Sequence, residues 1–448
     1  MTADRAPLTF EGALAALVER GRFGIRLGLG RTRALLRELG DPQAGLRGAL
    51  VAGTNGKGSV LALAGAALRA AGYRVGETPK PHLVTYRERL QIDGRPVDPV
   101  TFARLVDEVL TAADRVPHRL GSPTEFELLT AVVFRWFSEQ RPDVALVEVG
   151  LGGRLDATHA WDGGVAAITN VDLDHTDRLG PTIVAIAREK AAIIERGNLA
   201  VTGATGDALA VIRRRARRMD VPLVETRPAR IVGWDRDGID VELERLGRTR
   251  VGLRGRHQAA NVAVADALLD ALAAAGIATV PDDARRAGYA GATWPGRLEL
   301  LERAGREILL DGAHNPAGAT ALATALDDLR PHLAAGGVTL VVASMADKDV
   351  DGIVGALARS AALEGARIIC TSLDLPRALS ATDLAARWTG FDPALRPEVE
   401  PDPIAAIERA LAGGDGPIVI AGSLYLVGAA RANLVDDPVL RDPDPGDR

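Results

Sequence analysis

A single cysteine, Cys370, stands among 448 residues. It excludes an internal disulfide and any metal site built from several cysteines. No run approaches the roughly 18 uninterrupted apolar residues that a membrane span needs, so no membrane role is expected. The opening MTADRAPLTFEG has no apolar core behind a basic start, so no secretory signal is expected and a cytoplasmic location is. An excess of positive charge is also missing. The chain has 54 basic and 59 acidic residues, a formal net charge of −5, which gives no reason to expect nucleic acid as a partner. Lysine is scarce: only Lys57, Lys80, Lys190 and Lys348 occur among the 54 basic residues. Arginine is the default, beside much alanine, a pattern that suggests GC-rich coding. A lysine that survives here points to a place where a primary amine serves and a guanidinium does not. Chance is the plainer alternative for any one of them.

What is present is ordinary for a soluble globular protein: 47% hydrophobic and 25% charged residues. The length suits two or three domains with full cores. The segments 48–53, 144–150, 165–171, 199–203 and 222–226 read as buried strands. Helix-like stretches alternate with them, including 125–140 and 179–197. Apolar strands alternating with helices imply a parallel sheet covered on both faces. Segment 228–256 instead alternates residue by residue, which predicts an antiparallel flap on the first domain. After Pro295 and Gly296 the strand–helix pattern restarts, with strands expected at 307–312, 338–345, 366–372 and 417–423. The tail from about 436 to 448 is rich in Pro and Asp and is expected to be disordered. An arginine run at 213–218 reads as a wet helix face rather than a nucleic-acid patch.

Six short motifs carry chemistry. Gly53, Thr54, Asn55, Gly56, Lys57, Gly58 and Ser59 follow a strand and open a helix. Glycines there let the backbone wrap phosphates, and amides, a lysine and a hydroxyl complete the nest. The spacing is not that of the strict eight-residue P-loop. Glu148 ends a strand and is followed by Gly150, Gly152, Gly153 and Asp156. A carboxylate at that edge, facing a phosphate loop, suits magnesium. Asp172, Asp174, His175 and Asp177 form an acidic cluster that suits a hard cation or helix capping. Lys190 on its helix reads, from spacing alone, as a solvated side chain. Asp311 to Pro316 form a tight turn presenting Asp311 and His314. Asp347, Lys348 and Asp349 read as a charged turn.

Together these motifs resemble the folylpolyglutamate synthase/dihydrofolate synthase family of the Mur ligase superfamily. GTNGKGS (53–59), PHLVTYRERLQIDG (81–94), EVGLGGRLDAT (148–158), LDHTDRLG (173–180), AREKAAII (187–194), GRHQAANVAVA (255–265), WPGRLE (294–299), DGAHNPAG (311–318) and GSLYLVG (422–428) occur in the family's order. The resemblance implies an α/β fold with a P-loop-type ATPase domain over 1–293, having a parallel-rich sheet and a small antiparallel flap. A smaller Rossmann-like domain over 294–448 would come next, with the active site between the two. It implies ATP-driven amide formation between a pteroate or folate carboxylate and L-glutamate, through an acyl phosphate, in a monomer. ATP and one or two magnesium ions would be the cofactors. The 53–59 loop, Asn261, Arg297 and Asp311 would bind ATP. Glu148, His175 and a carbamylated Lys190 would bind metal. Lys80, Pro81, His82, Asp156, His314 and Ser344 would meet substrate, and Lys57, Lys190, Asp311 and His314 would be catalytic.

One departure matters most. Where the family pattern Thr-Ser-Pro-His-Leu has a metal-binding serine, this chain has Lys80, and an ammonium cannot ligate a metal. Either the ammonium stands at or beside the first magnesium site, or it points away and water fills the position. His159 and Arg178 also depart from the usual asparagine and aromatic. The alternatives are a Mur-type ligase for another acid or amino acid, and a nucleotide-binding paralogue without ligase activity.

Overall fold

The computed structural model describes residues 7–21 and 26–443. Segment 23–42, which resembles the family's opening helix, lies partly outside the described residues; Leu29–Glu38 is helical. Eight strands form the first sheet: β1 (Gly48–Ala52), β2 (Val75–Thr78), β3 (Gln91–Ile92), β4 (Arg95–Pro96), β5 (Val144–Glu148), β6 (Gly164–Ile168), β7 (Leu199–Thr202) and β8 (Leu223–Glu225). Their order is β4-β3-β2-β5-β1-β6-β7-β8. From β2 to β8 every pairing is parallel, and only the short β3 and β4 pair antiparallel. β1 and β5 are buried at every residue, which is why they read as unbroken apolar runs. The parallel register brings the carboxyl ends of β2, β5, β1 and β6 to one edge, on both sides of the central β1.

Helix Glu125–Gln140 covers this sheet with the bounds its sequence predicts. It starts on a capping box: Glu127 N–H donates to Thr124 Oγ1 at 3.3 Å, and Thr124 N–H donates to Glu127 Oε2 at 2.8 Å. The helix expected over 179–197 is shorter. Gly180 (φ 102) and Pro181 break it from Thr176–Leu179, and Thr182 caps a helix Ile183–Ala191. The 213–218 arginines lie on helix Gly206–Met219, mostly exposed, with Arg213 paired to Glu225.

The flap strands are β9 (Arg230–Asp235), β10 (Gly238–Leu243) and β11 (Gly247–Val251), antiparallel as expected. The last sheet has β12 (Glu299–Arg303), β13 (Arg306–Asp311), β14 (Thr339–Val342), β15 (Arg367–Cys370), β16 (Glu398–Val399) and β17 (Ile418–Ala421). Its order is β12-β13-β17-β14-β15-β16, parallel except for the edge pair β12–β13.

The chain divides into two compact units. The first holds the described parts of Met1–Pro228, Ala260–Gly288 and Val439–Arg448; the second holds Ala229–Ala259 and Tyr289–Pro438. The flap therefore groups with the second unit rather than the first. The ties are polar: Arg236 pairs with Glu307 at 2.9 Å, Arg254 donates to the Leu298 carbonyl at 3.2 Å, and Arg256 grips Asp328 with two bonds of 2.5 and 2.7 Å.

The tail also departs from expectation. Arg87, 2% exposed, donates through Nε to Asp442 at 2.8 Å and through Nη2 to the carbonyls of Val439 and Arg441 at 3.0 Å. A buried guanidinium needs such acceptors, so residues 439–442 are held despite their Pro- and Asp-rich sequence; 444–448 lie outside the described residues. Among the described residues no helix is long and apolar enough to cross a membrane. Arg87→Ala should destabilise the first unit by about 3 kcal/mol, read as a lower urea midpoint. An unchanged midpoint would show that the tail contact carries no stability.

Candidate active site

In the first unit the chain leaves β1 at Gly53 and enters helix Lys57–Ala70 through the glycine loop. Gly53 has φ 154, and a Cβ there would lie 1.8 Å from Thr169 Oγ1. Gly56 has φ 81, and a Cβ there would meet Asn261 Oδ1 at 2.2 Å. Both positions thus require glycine, for conformation and for space. The loop is stapled to the end of β6. Asn55 N–H donates to Asn170 Oδ1 at 2.8 Å, Thr169 Oγ1 donates to Asn55 O at 2.6 Å, and Thr54 N–H donates to Asn170 O at 3.1 Å. Motif reasoning misses Thr169 and Asn170; the signal for them is their position directly after a buried strand.

Three of the four lysines meet at this loop. Lys57 Nζ donates to Gly53 O at 3.1 Å and Thr54 O at 3.2 Å, and lies 3.8 Å from Glu148 Oε1. Lys190, 4% exposed, donates to the same Gly53 carbonyl at 2.9 Å. It is therefore not the solvated side chain that spacing alone suggests. Lys80 follows β2; its backbone N–H donates to Glu148 Oε2 at 2.9 Å and its ammonium to the Glu148 carbonyl at 2.6 Å. The Lys80 ammonium also lies 5.6 Å from the Phe126 ring centre. The Lys80 side chain thus turns toward Glu148.

Burial sets the electrostatics. It lowers Lys80 to about 8, against the pull of Asp156 and Glu148. It lowers Lys190 to about 7, with the Lys57 charge adding to the effect. His82 is lowered to about 3, first by burial and then by Arg89, whose Nε donates to His82 Nδ1 at 2.9 Å. Its ring stacks on Tyr86 at 4.2 Å between centres. Asp156 is engaged internally: Leu151 N–H donates to Oδ2 at 2.7 Å and the Thr158 hydroxyl to Oδ1 at 2.6 Å. His175 is half exposed with φ 50, beside Asp174. His159 turns to the Arg154 carbonyl at 3.3 Å and Glu195 at 3.5 Å, and Arg178 pairs with exposed Asp177.

Glu148 is a carboxylate at the end of β5, and His175 is an imidazole in the segment after β6, with β1 between those two strands. These donors suit one magnesium ion completed by phosphate oxygens and water. Among the described residues no group of three or more His, Cys, Asp or Glu is placed to hold a metal, and Lys80 offers no lone pair. Glu148 and His175 thus have the chemistry to hold a divalent ion, and the Lys80 side chain does not.

The second unit gathers its own constellation at the carboxyl ends of β13, β17 and β14. Asp311, 8% exposed, accepts from Leu298 N–H and Ala313 N–H at 2.9 Å each. Burial raises its pKa, and the nearby Arg297 opposes the rise. Gly312 leaves room for Arg297, whose Nη1 would lie 2.1 Å from a Cβ there. His314 Nδ1 lies 2.8 Å from the Gly312 carbonyl, so that nitrogen carries its proton and donates. Asn315 caps helix Pro316–Leu329, accepting from Gly318 N–H at 2.7 Å. Ser344 is buried, with its hydroxyl directed to the Met345 carbonyl at 3.4 Å. Asp347 pairs with Arg377 and Asp349 caps a helix, as a charged turn would. Ser423, just after β17 and within the GSLYLVG motif, caps the next helix.

A central parallel strand running into a glycine loop and helix, with a lysine in the loop and a carboxylate on the neighbouring strand, defines a P-loop-type nucleotide domain. A second, mostly parallel α/β unit accompanies it. Family comparison agrees: residues 51–269 match the Mur ligase middle domain and 296–424 the Mur ligase glutamate ligase domain. A dihydrofolate synthase/folylpolyglutamate synthase of Bacillus subtilis is 33% identical over 95% of this chain and 99% of its own length. The folylpolyglutamate synthase of Mycobacterium tuberculosis, solved with ADP and AMPPCP, superposes with a TM-score of 0.83 at 34% identity, covering 95% of this chain and 100% of its own. A bifunctional enzyme of Yersinia pestis, solved with AMPPNP and manganese, gives 0.82 at 29% identity, covering 97% and 100%. The chain belongs to the dihydrofolate synthase/folylpolyglutamate synthase family, ATP-dependent glutamate ligases of the Mur type.

Gly53→Ala should weaken AMPPNP binding at least about tenfold, roughly 1.4 kcal/mol, by isothermal titration. Unaltered affinity would mean that the loop does not enclose the phosphates.

Proposed function

We propose that this chain joins L-glutamate to the carboxylate of a dihydropteroate or folate, working as a monomer in the cytoplasm. The observation that carries the reading is the convergence of Lys57, Lys80, Lys190 and Glu148 on one glycine loop at the centre of a parallel sheet. A carboxylate is a poor electrophile. Transfer of the γ-phosphoryl group to one of its oxygens releases ADP and gives an acyl phosphate. The glutamate amine then attacks the acyl carbon, loses a proton, and inorganic phosphate leaves with the original oxygen.

The protein's part is placement and charge neutralisation. The Gly53–Ser59 loop offers amides and the Lys57 ammonium to the phosphates, and Asn261 closes over Gly56. Glu148 and His175 would hold magnesium, which neutralises phosphate charge and polarises the transferred group. Pro81, His82 and Asp156 form the acceptor side in this reading, with His82 neutral as a hydrogen-bonding group. In the second unit Arg297 and Asp311 serve nucleotide, and His314 serves the incoming amine or the acyl phosphate. The division into an ATP-binding part over 1–293 and a glutamate-ligase part over 294–448 is part of this proposal.

Lys190 is proposed to act as a carbamate. Burial favours its neutral amine, which adds carbon dioxide and releases one proton. The remaining N–H still donates to Gly53 O, so the present hydrogen bond survives the modification. Lys190→Ala is expected to lower turnover at least about 100-fold, with partial rescue by a small carboxylic acid. Full activity in the variant would remove this role.

The defining assay is phosphate release from ATP with magnesium and L-glutamate. Release with dihydropteroate marks dihydrofolate synthesis, and release with tetrahydrofolate marks polyglutamylation. Lys80 favours one second reading, a ligase of the same mechanism for a different acid. It predicts no release with either folate while nucleotide binding persists.

A further inference from the structure

Lys80 sits where two demands meet. Its main-chain N–H ties down one oxygen of Glu148, and its ammonium binds the carbonyl of the same residue. Lys57 approaches the other carboxylate oxygen. Glu148 is therefore bracketed by two ammonium groups at the mouth of the phosphate loop. The Glu148 carbonyl takes one of three N–H donors of the Lys80 ammonium, so donors remain for an incoming anion. The apolar Phe126 ring, on helix Glu125–Gln140, flanks the ammonium. The anchoring of the stem at both ends of residue 80 makes the charge a fixed one rather than a swinging side chain.

We infer that the Lys80 ammonium is a resident cation that replaces one divalent ion at the triphosphate, so that the nucleotide is bound with a single metal ion. The inference rests on the nucleotide site proposed above and specifies how its charge is met. A triphosphate carries about four negative charges near neutral pH. The Lys57 and Lys80 ammonium groups offset part of it. A second divalent ion beside Lys80 would stand against an ammonium that is fixed on the Glu148 carbonyl. It would also gain no ligand from position 80. The fixed ammonium and the missing ligand at position 80 thus favour the single-ion arrangement.

The test is to count manganese ions bound per chain in the complex with AMPPNP, by electron paramagnetic resonance titration, in the wild type and in Lys80→Ser. The expected counts are one and two. Metal-free binding provides a second reading: removing the metal should weaken AMPPNP less than about tenfold in the wild type and at least tenfold more than that in Lys80→Ser. Lys80→Gln, which keeps the length without the charge, should share the metal-free loss while staying at one ion. Thermal midpoints of the variants confirm folding. Two ions in the wild type, or equal metal dependence in wild type and Lys80→Gln, would overturn the inference and assign Lys80 to the acceptor acid. These readouts need no turnover, so they stand or fall separately from the folate assay.

Discussion

Glu148 ends a strand inside the sheet, and the charges of the nucleotide site are arranged around its carboxylate. A buried anion is costly unless it is paired and hydrogen-bonded. Here the pairing comes from Lys57 on the neighbouring loop and from the amide of Lys80 at the end of the strand on the other side. Parallel register makes that possible. β5 lies between β1 and β2, so the loops leaving β1 and β2 arrive beside the same carboxylate. The glycine loop keeps its shape because β6 supplies Thr169 and Asn170 from the opposite side.

The second unit solves a similar problem with fewer charges. Asp311 is buried and held by two main-chain amides, with the Arg297 guanidinium near it. The carboxyl ends of β13, β17 and β14 supply Asp311, Ser423 and Ser344, so the positions of these residues follow from strand order. Gly312 is the condition for it: any side chain there would displace Arg297 or Leu424.

Much of this was legible in the sequence because buried parallel strands announce themselves as apolar runs. The five strands expected in the first part and the four in the second are present within a few residues. β2 was missed because VGET mixes glycine and a glutamate with its apolar residue, and that glutamate, Glu77, is buried only by virtue of its pairing with Arg69. The long helix expected over 179–197 is interrupted at Gly180-Pro181, where the local break prevails over the apolar period. The grouping of the flap depended on Arg236, Arg254 and Arg256 finding partners far along the chain, which no local pattern encodes. The same holds for the tail, whose order comes from Arg87, more than 350 residues away. Lys190 shows the limit most clearly: its spacing reads as a solvated helix face, and only tertiary packing turns it inward onto Gly53.

The gathering of Lys57, Lys80 and Lys190 also changes how the molecule answers to reagents. In most proteins amine-directed chemistry scatters over the surface. This chain carries one further lysine side chain, Lys348, outside that cluster. Three of the four lysine positions open to acylation or reductive methylation thus lie around the glycine loop and Glu148, where burial slows the reagent. An isotope-labelled methyl group on those amines would give a handful of resonances, most of them from the nucleotide site.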